Sequence, residues 1–106
     1  MLLVQAIQSS VLHDTYIVAA ATDEACALFR CDQEWIRDRL LTDLVIADLE
    51  GLVKFRLGAL REFGYLHSQP LVFLRIDGSR FWANVTSLEI RDGYYISFLD
   101  YLKEYG

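Results

Sequence analysis

The sequence is poor in the residues that mark several protein classes. Its 106 residues include one proline, six glycines and two cysteines, which excludes collagen, proline-rich linkers and a disulfide framework. Ten lysine and arginine residues stand against fifteen aspartate and glutamate residues, without a basic run. Nucleic acid is therefore not an expected partner, because its binding relies on neutralised phosphates. Hydrophobic residues nevertheless make up 54% of the chain, which excludes intrinsic disorder.

Signals for a membrane, for secretion and for a metal site are also missing. No apolar run approaches the roughly 20 residues of a membrane-spanning helix, and residues 1–4 lack the basic start and apolar length of a secretory signal. Cys26 and Cys31 have no histidine nearby, so they are expected to be reduced thiols and not zinc ligands. The sequence predicts one cytoplasmic domain, residues 1–106, without a membrane partner or a metal.

The first third of the chain predicts a hairpin and two short helices. Residues 1–8 fit a short helix, although a strand fits as well. Two β-type runs, Ser10–Leu12 and Tyr16–Ala19, are joined by a tight turn, which predicts a hairpin. Thr22 and Asp32 then stand where side chains cap the start of a helix.

Residues 47–63 carry the longest helical pattern. At about 100° per residue, the apolar residues gather on one broad face. That face holds Leu49, Leu52, Val53, Leu57, Ala59, Leu60 and Phe63. Gly64 is expected to end the helix. Arg56 is the exception, because it projects from the middle of the apolar arc.

After Pro70 the pattern changes to strands. Three strands are predicted, at residues 71–76, 80–90 and 94–101. The pairs Asp77–Gly78 and Asp92–Gly93 are strong hairpin signals between them. Together with the first hairpin, they predict an α+β fold, a five-stranded antiparallel sheet with helices inserted on one face.

The order of these parts, and several short motifs, resemble the PAS sensory domain. Residues 25–29, ACALF, resemble its "A-C-x-L-F" helix, and residues 32–36, DQEWI, resemble the "S-x-E-E-L" that follows. Residues 77–85, DGSRFWANV, closely resemble its "D-G-S-x-x-W-x-E-V" hairpin. Residues 98–104 stand where the family places its closing "D-I-T" and the start of the output linker. The resemblance runs over almost the whole chain, although Thr22 occupies a position that usually holds asparagine.

The resemblance implies a sensory and dimerisation module of a signal-transduction or transcription-regulatory protein. PAS domains enclose a small cavity between the sheet and the long helix; many bind a ligand there, and others are empty. A ligand-free protein–protein interaction domain is therefore the alternative. An effector domain is expected if the chain is part of a longer protein. Asp43, Asp48 and Glu50 could supply a carboxylate pair, but no histidine or nucleophile stands at a recognisable spacing, so no enzyme is expected.

The cofactors of known PAS branches do not match this sequence. The light-sensing flavin branch of the family attaches its cofactor through a cysteine. The corresponding stretch here, residues 39–46, contains no cysteine. That branch also offers amide side chains at positions occupied here by Phe73, Ala83 and Phe98, which cannot hydrogen-bond a flavin edge. The haem branch uses a histidine of the long helix, and here His13 and His67 are expected in exposed loops. No cofactor is therefore expected.

Strand alternation identifies a candidate ligand site. The residues predicted to face the long helix are Leu71, Phe73, Phe81, Ala83, Val85, Tyr94, Ile96 and Phe98. The candidate ligand-binding residues are Arg56, Phe73, Phe81, Ala83 and Phe98, for a small apolar or anionic ligand. Three outcomes are open for Arg56: to extend to solvent, to pair with Asp43 or Asp100, or to receive a ligand's carboxylate or phosphate. A filled core is the alternative to a cavity.

The opposite face of the sheet is too apolar to face water. Its predicted residues are Val72, Leu74, Ile76, Trp82, Thr86, Leu88, Tyr95, Leu99 and Tyr101. Residues 1–8 are too few to cover it. The sequence therefore predicts a homodimer through this face, with Trp82, Leu88, Leu99 and Tyr101 at its centre.

Overall fold

A computed structural model describes residues 1–8 and 14–106 as a five-stranded antiparallel sheet with helices on one face. The strands are β1 (Leu2–Gln8), β2 (Asp14–Ala21), β3 (Tyr65–Leu74), β4 (Arg80–Arg91) and β5 (Tyr94–Glu104). The helices are α1 (Asp23–Phe29), α2 (Gln33–Ile36) and α3 (Glu50–Phe63), with 3₁₀ turns at Leu41–Leu44 and Ala47–Leu49. The strand order is β2-β1-β5-β4-β3, which confirms the predicted α+β fold.

The N-terminal segment is a strand, so the helix predicted for residues 1–8 is wrong. Val4 is fully buried and stands opposite both Val18 on β2 and Tyr95 on β5. Because β1 is hydrogen-bonded on both sides, the sheet's ladders satisfy its backbone more completely than a short helix would. Thr15 belongs to β2 and not to a turn. The predicted run at residues 10–12 and His13 lie outside the described residues.

Both short helices begin at the predicted caps. The Thr22 hydroxyl accepts a hydrogen bond from the Ala25 N–H at 3.2 Å. The Asp32 carboxylate accepts one from the Trp35 N–H at 2.8 Å. Each cap satisfies an N–H that the first helical turn leaves without a partner.

The long helix α3 buries a narrower stripe than predicted. It begins at Glu50 and ends before Gly64, whose φ of 76° is the left-handed conformation expected there. Its buried residues are Val53, Leu57 and Leu60. Leu52 and Phe63, predicted on the buried face, are 41% and 74% exposed. At about 100° per residue they lie beyond Arg56 from the buried stripe, so Arg56 marks its edge.

A bulge sets which side chains of β5 face inward. Both hairpin glycines have positive φ, 85° at Gly78 and 81° at Gly93, as predicted for such turns. Arg91 pairs with Tyr94, but the register then shifts, and Glu89 pairs with Tyr95. One extra residue on β4 therefore reverses the faces of β5 relative to a regular hairpin.

The predicted orientation of β5 is consequently wrong by one residue. Tyr94, Ile96 and Phe98, predicted to face inward, lie on the outer face, since Phe98 pairs with outward-facing Thr86. Residues predicted to face outward instead lie on the inner face: Tyr95, Leu99 and Tyr101. Phe98 therefore does not face α3, and Leu99 and Tyr101 are not at the centre of the outer face.

Three rings fill part of the space between α1 and the sheet. The Phe29 ring lies 5.8 Å from that of Phe73 and 5.3 Å from that of Phe81, edge to face in both cases. Phe73 and Phe81 are stacked at 5.6 Å. This aromatic cluster (Phe29, Phe73 and Phe81) is a packed core, as the filled-core alternative requires, but it occupies only one part of the inner face.

Candidate functional site

A small pocket, the inner cavity, lies between α3 and the inner face of β3, β4 and β5. Its volume is about 60 Å³, which is room for about four water molecules. Its walls are mainly apolar, with Val53 and Leu57 from α3 and Leu71, Phe73 and Leu99 from the sheet. The interior is therefore not filled completely.

Two serines form a polar spot on the wall of the inner cavity. Ser87 on β4 and Ser97 on β5 stand opposite each other, and their hydroxyl oxygens are 2.7 Å apart. Both residues are buried. The pair exists because of the bulge, since a regular hairpin would have placed Phe98 opposite Ser87. Sequence reasoning missed it for that reason.

The remaining polar groups of the inner cavity come from Arg56 on α3 and from His67 and Gln69 on β3. His67 is exposed as predicted, but it belongs to a strand and not to a loop. Its ring contacts that of Tyr65 edge to face, with centroids 4.9 Å apart. One cation, one imidazole and one amide thus border an apolar pocket.

Arg56 is half-buried and has no hydrogen bond or ion pair with any described residue. The predicted pairing with Asp43 or Asp100 does not occur; both aspartates are exposed. Burial lowers the pKa of the Arg56 guanidinium, and no carboxylate offsets that effect. The side chain therefore stays charged at the edge of the cavity, and residues 1–8 and 14–106 supply no counter-charge to it.

The structure brings together only part of the predicted ligand site. Arg56 and Phe73 line the inner cavity. Phe81 and Ala83 are fully buried on the same face, but they do not line it, since Phe81 packs into the aromatic cluster. Phe98 lies on the other face of the sheet.

A second arginine is embedded at the end of β3, and sequence reasoning did not single it out. Arg75 is 5% exposed. Its Nε donates to the Leu28 carbonyl at 2.7 Å, its Nη1 donates to the Ser79 hydroxyl at 3.2 Å, and its Nη2 donates to a Glu104 carboxylate oxygen at 2.9 Å. Its guanidinium also lies 4.5 Å from the centre of the Phe81 ring. The only sequence signal for this role is an arginine next to an apolar strand.

Glu104 is the acidic partner in this arrangement. It accepts hydrogen bonds from both terminal nitrogens of Arg75 and, at 2.7 Å, from the Tyr101 hydroxyl. These hydrogen bonds lower the pKa of the Glu104 carboxyl to about 2, and the largest contribution comes from Arg75. We call Arg75, Leu28, Ser79 and Glu104 the Arg75 clamp. It ties the last residues of β5 to α1 and to the β3–β4 turn.

The inner cavity does not fit a flavin. Its volume of about 60 Å³ is far below the roughly 300–1,000 Å³ of sites for larger organic ligands. Cys26 lies on α1 and does not line it. Cys26 and Cys31 are free, and burial raises the pKa of the Cys31 thiol to about 11. No group of side chains within residues 1–8 and 14–106 could hold a metal ion, and none of the helices there could cross a membrane.

The outer face of the sheet presents apolar side chains from three strands, β1, β4 and β5. Trp82 and Leu88 lie on it as predicted, and the register adds Ile96 and Phe98 beside them. A further exposed apolar residue on this face is Ile7, whose side chain alternates with the inward-facing Val4 and Ala6 of β1. The Trp82 ring is partly covered by Tyr105, with centroids 5.9 Å apart. An apolar sheet face of this kind normally packs against another surface.

Comparisons with known proteins give similarities of structure only. No family model and no curated protein matches the sequence. A PAS domain, in complex with ethanol, of a LuxR-family transcriptional regulator from Burkholderia thailandensis is 17% identical, with a TM-score of 0.64 over 92% of this chain and 88% of that one. A light-oxygen-voltage domain from a study of a flavin analogue is 21% identical, with a TM-score of 0.71 over 96% and 77%. Both similarities extend over nearly the whole chain.

Proposed function

Because the chain has the PAS fold, we propose that it is a sensory and dimerisation module that binds a small anion at Arg56. It would serve a signal-transduction or transcription-regulatory protein, with an effector domain elsewhere if the chain is part of a longer one. The observation that supports the proposal is the half-buried Arg56 guanidinium, which has no partner among the described residues and lies beside an apolar cavity. A ligand-free interaction domain is the second candidate, and the small cavity volume favours it.

The size and lining of the inner cavity define the class of ligand. A carboxylate can accept two hydrogen bonds from a guanidinium side by side, and its alkyl part would contact Val53 and Leu57. About 60 Å³ admits only a few non-hydrogen atoms, and ethanol, bound by one of the similar domains, is of that size. Short-chain carboxylates such as propionate meet both requirements.

An NMR titration of the labelled protein tests the ligand proposal. We expect propionate to shift the backbone amide signals of residues around the cavity, such as Phe73 and Ser97, and the neutral propanol to shift them less. Arg56→Leu should abolish the propionate shifts. Arg37→Leu is the matched control, because it removes an exposed arginine that does not line the cavity. Equal propionate binding by wild type and Arg56→Leu would contradict the proposal.

The dimerisation proposal concerns the outer face, now centred on Trp82, Leu88, Ile96 and Phe98. Aromatic residues at the centre of an interface often contribute about 2 kcal/mol or more each. β5 connects this face to the ligand site, because its side chains alternate between them: Ser97 lines the inner cavity, while Ile96 and Phe98 face outward. A ligand that displaces β5 therefore changes the interface as well.

Sedimentation of two glutamate variants tests the dimer. Phe98→Glu places a charge on the outer face, and we expect it to give monomers. Phe55→Glu is the control, because Phe55 is 77% exposed on α3, away from that face. The Phe55→Glu variant should remain dimeric. A dimer that survives Phe98→Glu and is lost with Phe55→Glu would place the interface on α3 instead.

A further inference from the structure

The walls of the inner cavity carry two separate groups of polar residues. Arg56 on α3 and His67 and Gln69 on β3 form the first group, and Ser87 on β4 and Ser97 on β5 form the second. The two serines contact each other, whereas Arg56 has no hydrogen bond with any described residue. Because β4 lies between β3 and β5, the strand residues of the two groups are at least one strand spacing apart, roughly 4.8 Å.

The serine pair keeps one hydrogen-bond donor that no described residue uses. A hydroxyl group has one O–H donor and two acceptor lone pairs. In the contact of 2.7 Å between Ser87 and Ser97, one hydroxyl donates to the other oxygen. The second O–H has no acceptor within residues 1–8 and 14–106. The two serines are only 4% and 5% exposed, so a further partner reaches them through the inner cavity, which both of them line.

The surroundings of the serine pair are apolar. The neighbouring pair on the inner face of β4 and β5 is Val85 and Leu99, and Val53 and Leu57 of α3 form the facing wall. Alanine, which is of similar size, would complete this wall without leaving a donor unused. A buried donor without a partner lowers stability. A ligand that brings its own polar group to the serines would remove that cost.

From these two polar groups we infer that the inner cavity selects a short hydroxycarboxylate with its hydroxyl at the end opposite the carboxylate. This inference rests on the function proposed above, in which Arg56 receives the carboxylate. The ligand hydroxyl accepts the unused serine O–H and donates to a serine lone pair. With the carboxylate at the edge, the cavity of about 60 Å³ holds the few remaining atoms of a molecule such as 3-hydroxypropionate.

Two isomeric ligands form a matched test on the wild-type protein. 3-Hydroxypropionate and lactate have the same composition and charge, but lactate carries its hydroxyl next to the carboxylate. In NMR titrations we expect 3-hydroxypropionate to bind about fivefold more tightly than propionate, which is the effect of one additional hydrogen bond. Lactate should bind no more tightly than propionate, because its hydroxyl does not reach the serine pair.

Variants without the hydroxyls locate this preference. The double variant Ser87→Ala/Ser97→Ala leaves neither hydroxyl unpaired, so it should fold, bind propionate as wild type does and lose the preference for 3-hydroxypropionate. Ser68→Ala is the control, because it removes an exposed serine of β3 that does not line the cavity. This control should keep the preference. The comparison of the two isomers needs no variant and therefore does not depend on how the double variant folds.

The inference is overturned if 3-hydroxypropionate binds wild type no more tightly than propionate, or if lactate gains as much. It is also overturned if the folded double variant keeps the preference. In each of these cases, loss of propionate binding in Arg56→Leu would still support the proposed function. Conversely, Arg56→Leu that binds both acids as wild type does would contradict the proposed function, while a preference lost only in the double variant would still assign hydroxyl recognition to the serine pair.

Discussion

Two arginines border the inner side of the sheet, and the fold surrounds them in opposite ways. Arg75 is almost fully buried, and three protein groups accept its hydrogen bonds: the Leu28 carbonyl, Ser79 and Glu104. Arg56 is half-buried and has no partner among the described residues. Between them lies the aromatic cluster, in which Phe73 lines the inner cavity and Phe81 lies under Arg75.

The contrast indicates a structural role for Arg75 and supports the binding role proposed for Arg56. A guanidinium carries five donors and stays charged in proteins, so burial is costly unless acceptors are supplied. The Arg75 clamp supplies them and thereby holds the end of β5, α1 and the β3–β4 turn together. Arg56 receives no acceptor from the part of the chain that the structure describes, and the residues of its helix that face the sheet are apolar. A partner from outside the domain would remove that deficit.

Removing the clamp's arginine should have the largest effect. We expect Arg75→Met to lower the free energy of unfolding by about 2–3 kcal/mol, because it leaves the Leu28 carbonyl without its donor and removes the main hydrogen-bond partner of Glu104. Chemical denaturation measures this. Arg80→Met removes a neighbouring exposed arginine and should change stability by less than about 0.5 kcal/mol. If the two variants lose the same stability, the clamp is not a structural element.

Breaking the Ser87–Ser97 pair should lower the free energy of unfolding by less. It shows whether the two hydroxyls in the cavity wall depend on each other as hydrogen-bond partners. Ser97→Ala leaves the buried Ser87 hydroxyl unpaired, which should cost about 1–2 kcal/mol. Ser87→Ala should cost a similar amount, and the double variant much less than the sum of the two. Denaturation of all four proteins forms a double-mutant cycle. Strict additivity would show that the hydroxyls do not depend on each other.

Acid should weaken the Arg75 clamp, through Glu104, and should not affect the surroundings of Arg56. The Glu104 pKa is lowered from 4.5 to about 2 in the folded protein, so its contribution to stability is complete above the unfolded value and is lost as pH falls toward about 2. Wild type should therefore unfold at a higher temperature than Glu104→Gln at pH 6, and the difference should shrink between about pH 4.5 and 2. The effect is small, because Glu104 is half-exposed. A difference that does not change with pH would contradict the role of its charge.

Short-range signals in the sequence are sufficient for most of the fold. Thr22 and Asp32 cap helices as predicted, and Gly64, Gly78 and Gly93 adopt the positive φ that their positions require. Each of these features depends on neighbours within a few residues. The order of helices and strands follows from them, and with it the similarity to the PAS domain.

Features that depend on distant pairing were not predictable in the same way. Both faces of β5 are apolar, so hydrophobic alternation does not show which of its side chains face inward. The bulge near Ile90 determines this. The outward position of Phe98, the inward position of Leu99 and the Ser87–Ser97 pair all follow from that one extra residue. Residues 1–8 become a strand because β2 and β5 lie on either side, which local propensity does not reveal.

Thermal unfolding of wild type and Arg56→Leu, each with and without propionate, tests the central claim most directly. Without propionate, Arg56→Leu should unfold at the same temperature as wild type or higher, because leucine suits the apolar edge of α3 better than an unpaired cation. Propionate should raise the unfolding temperature of wild type, since it binds only the folded state, and leave that of Arg56→Leu unchanged. If propionate stabilises both proteins equally, or if Arg56→Leu is clearly less stable without it, Arg56 is not a ligand-binding residue.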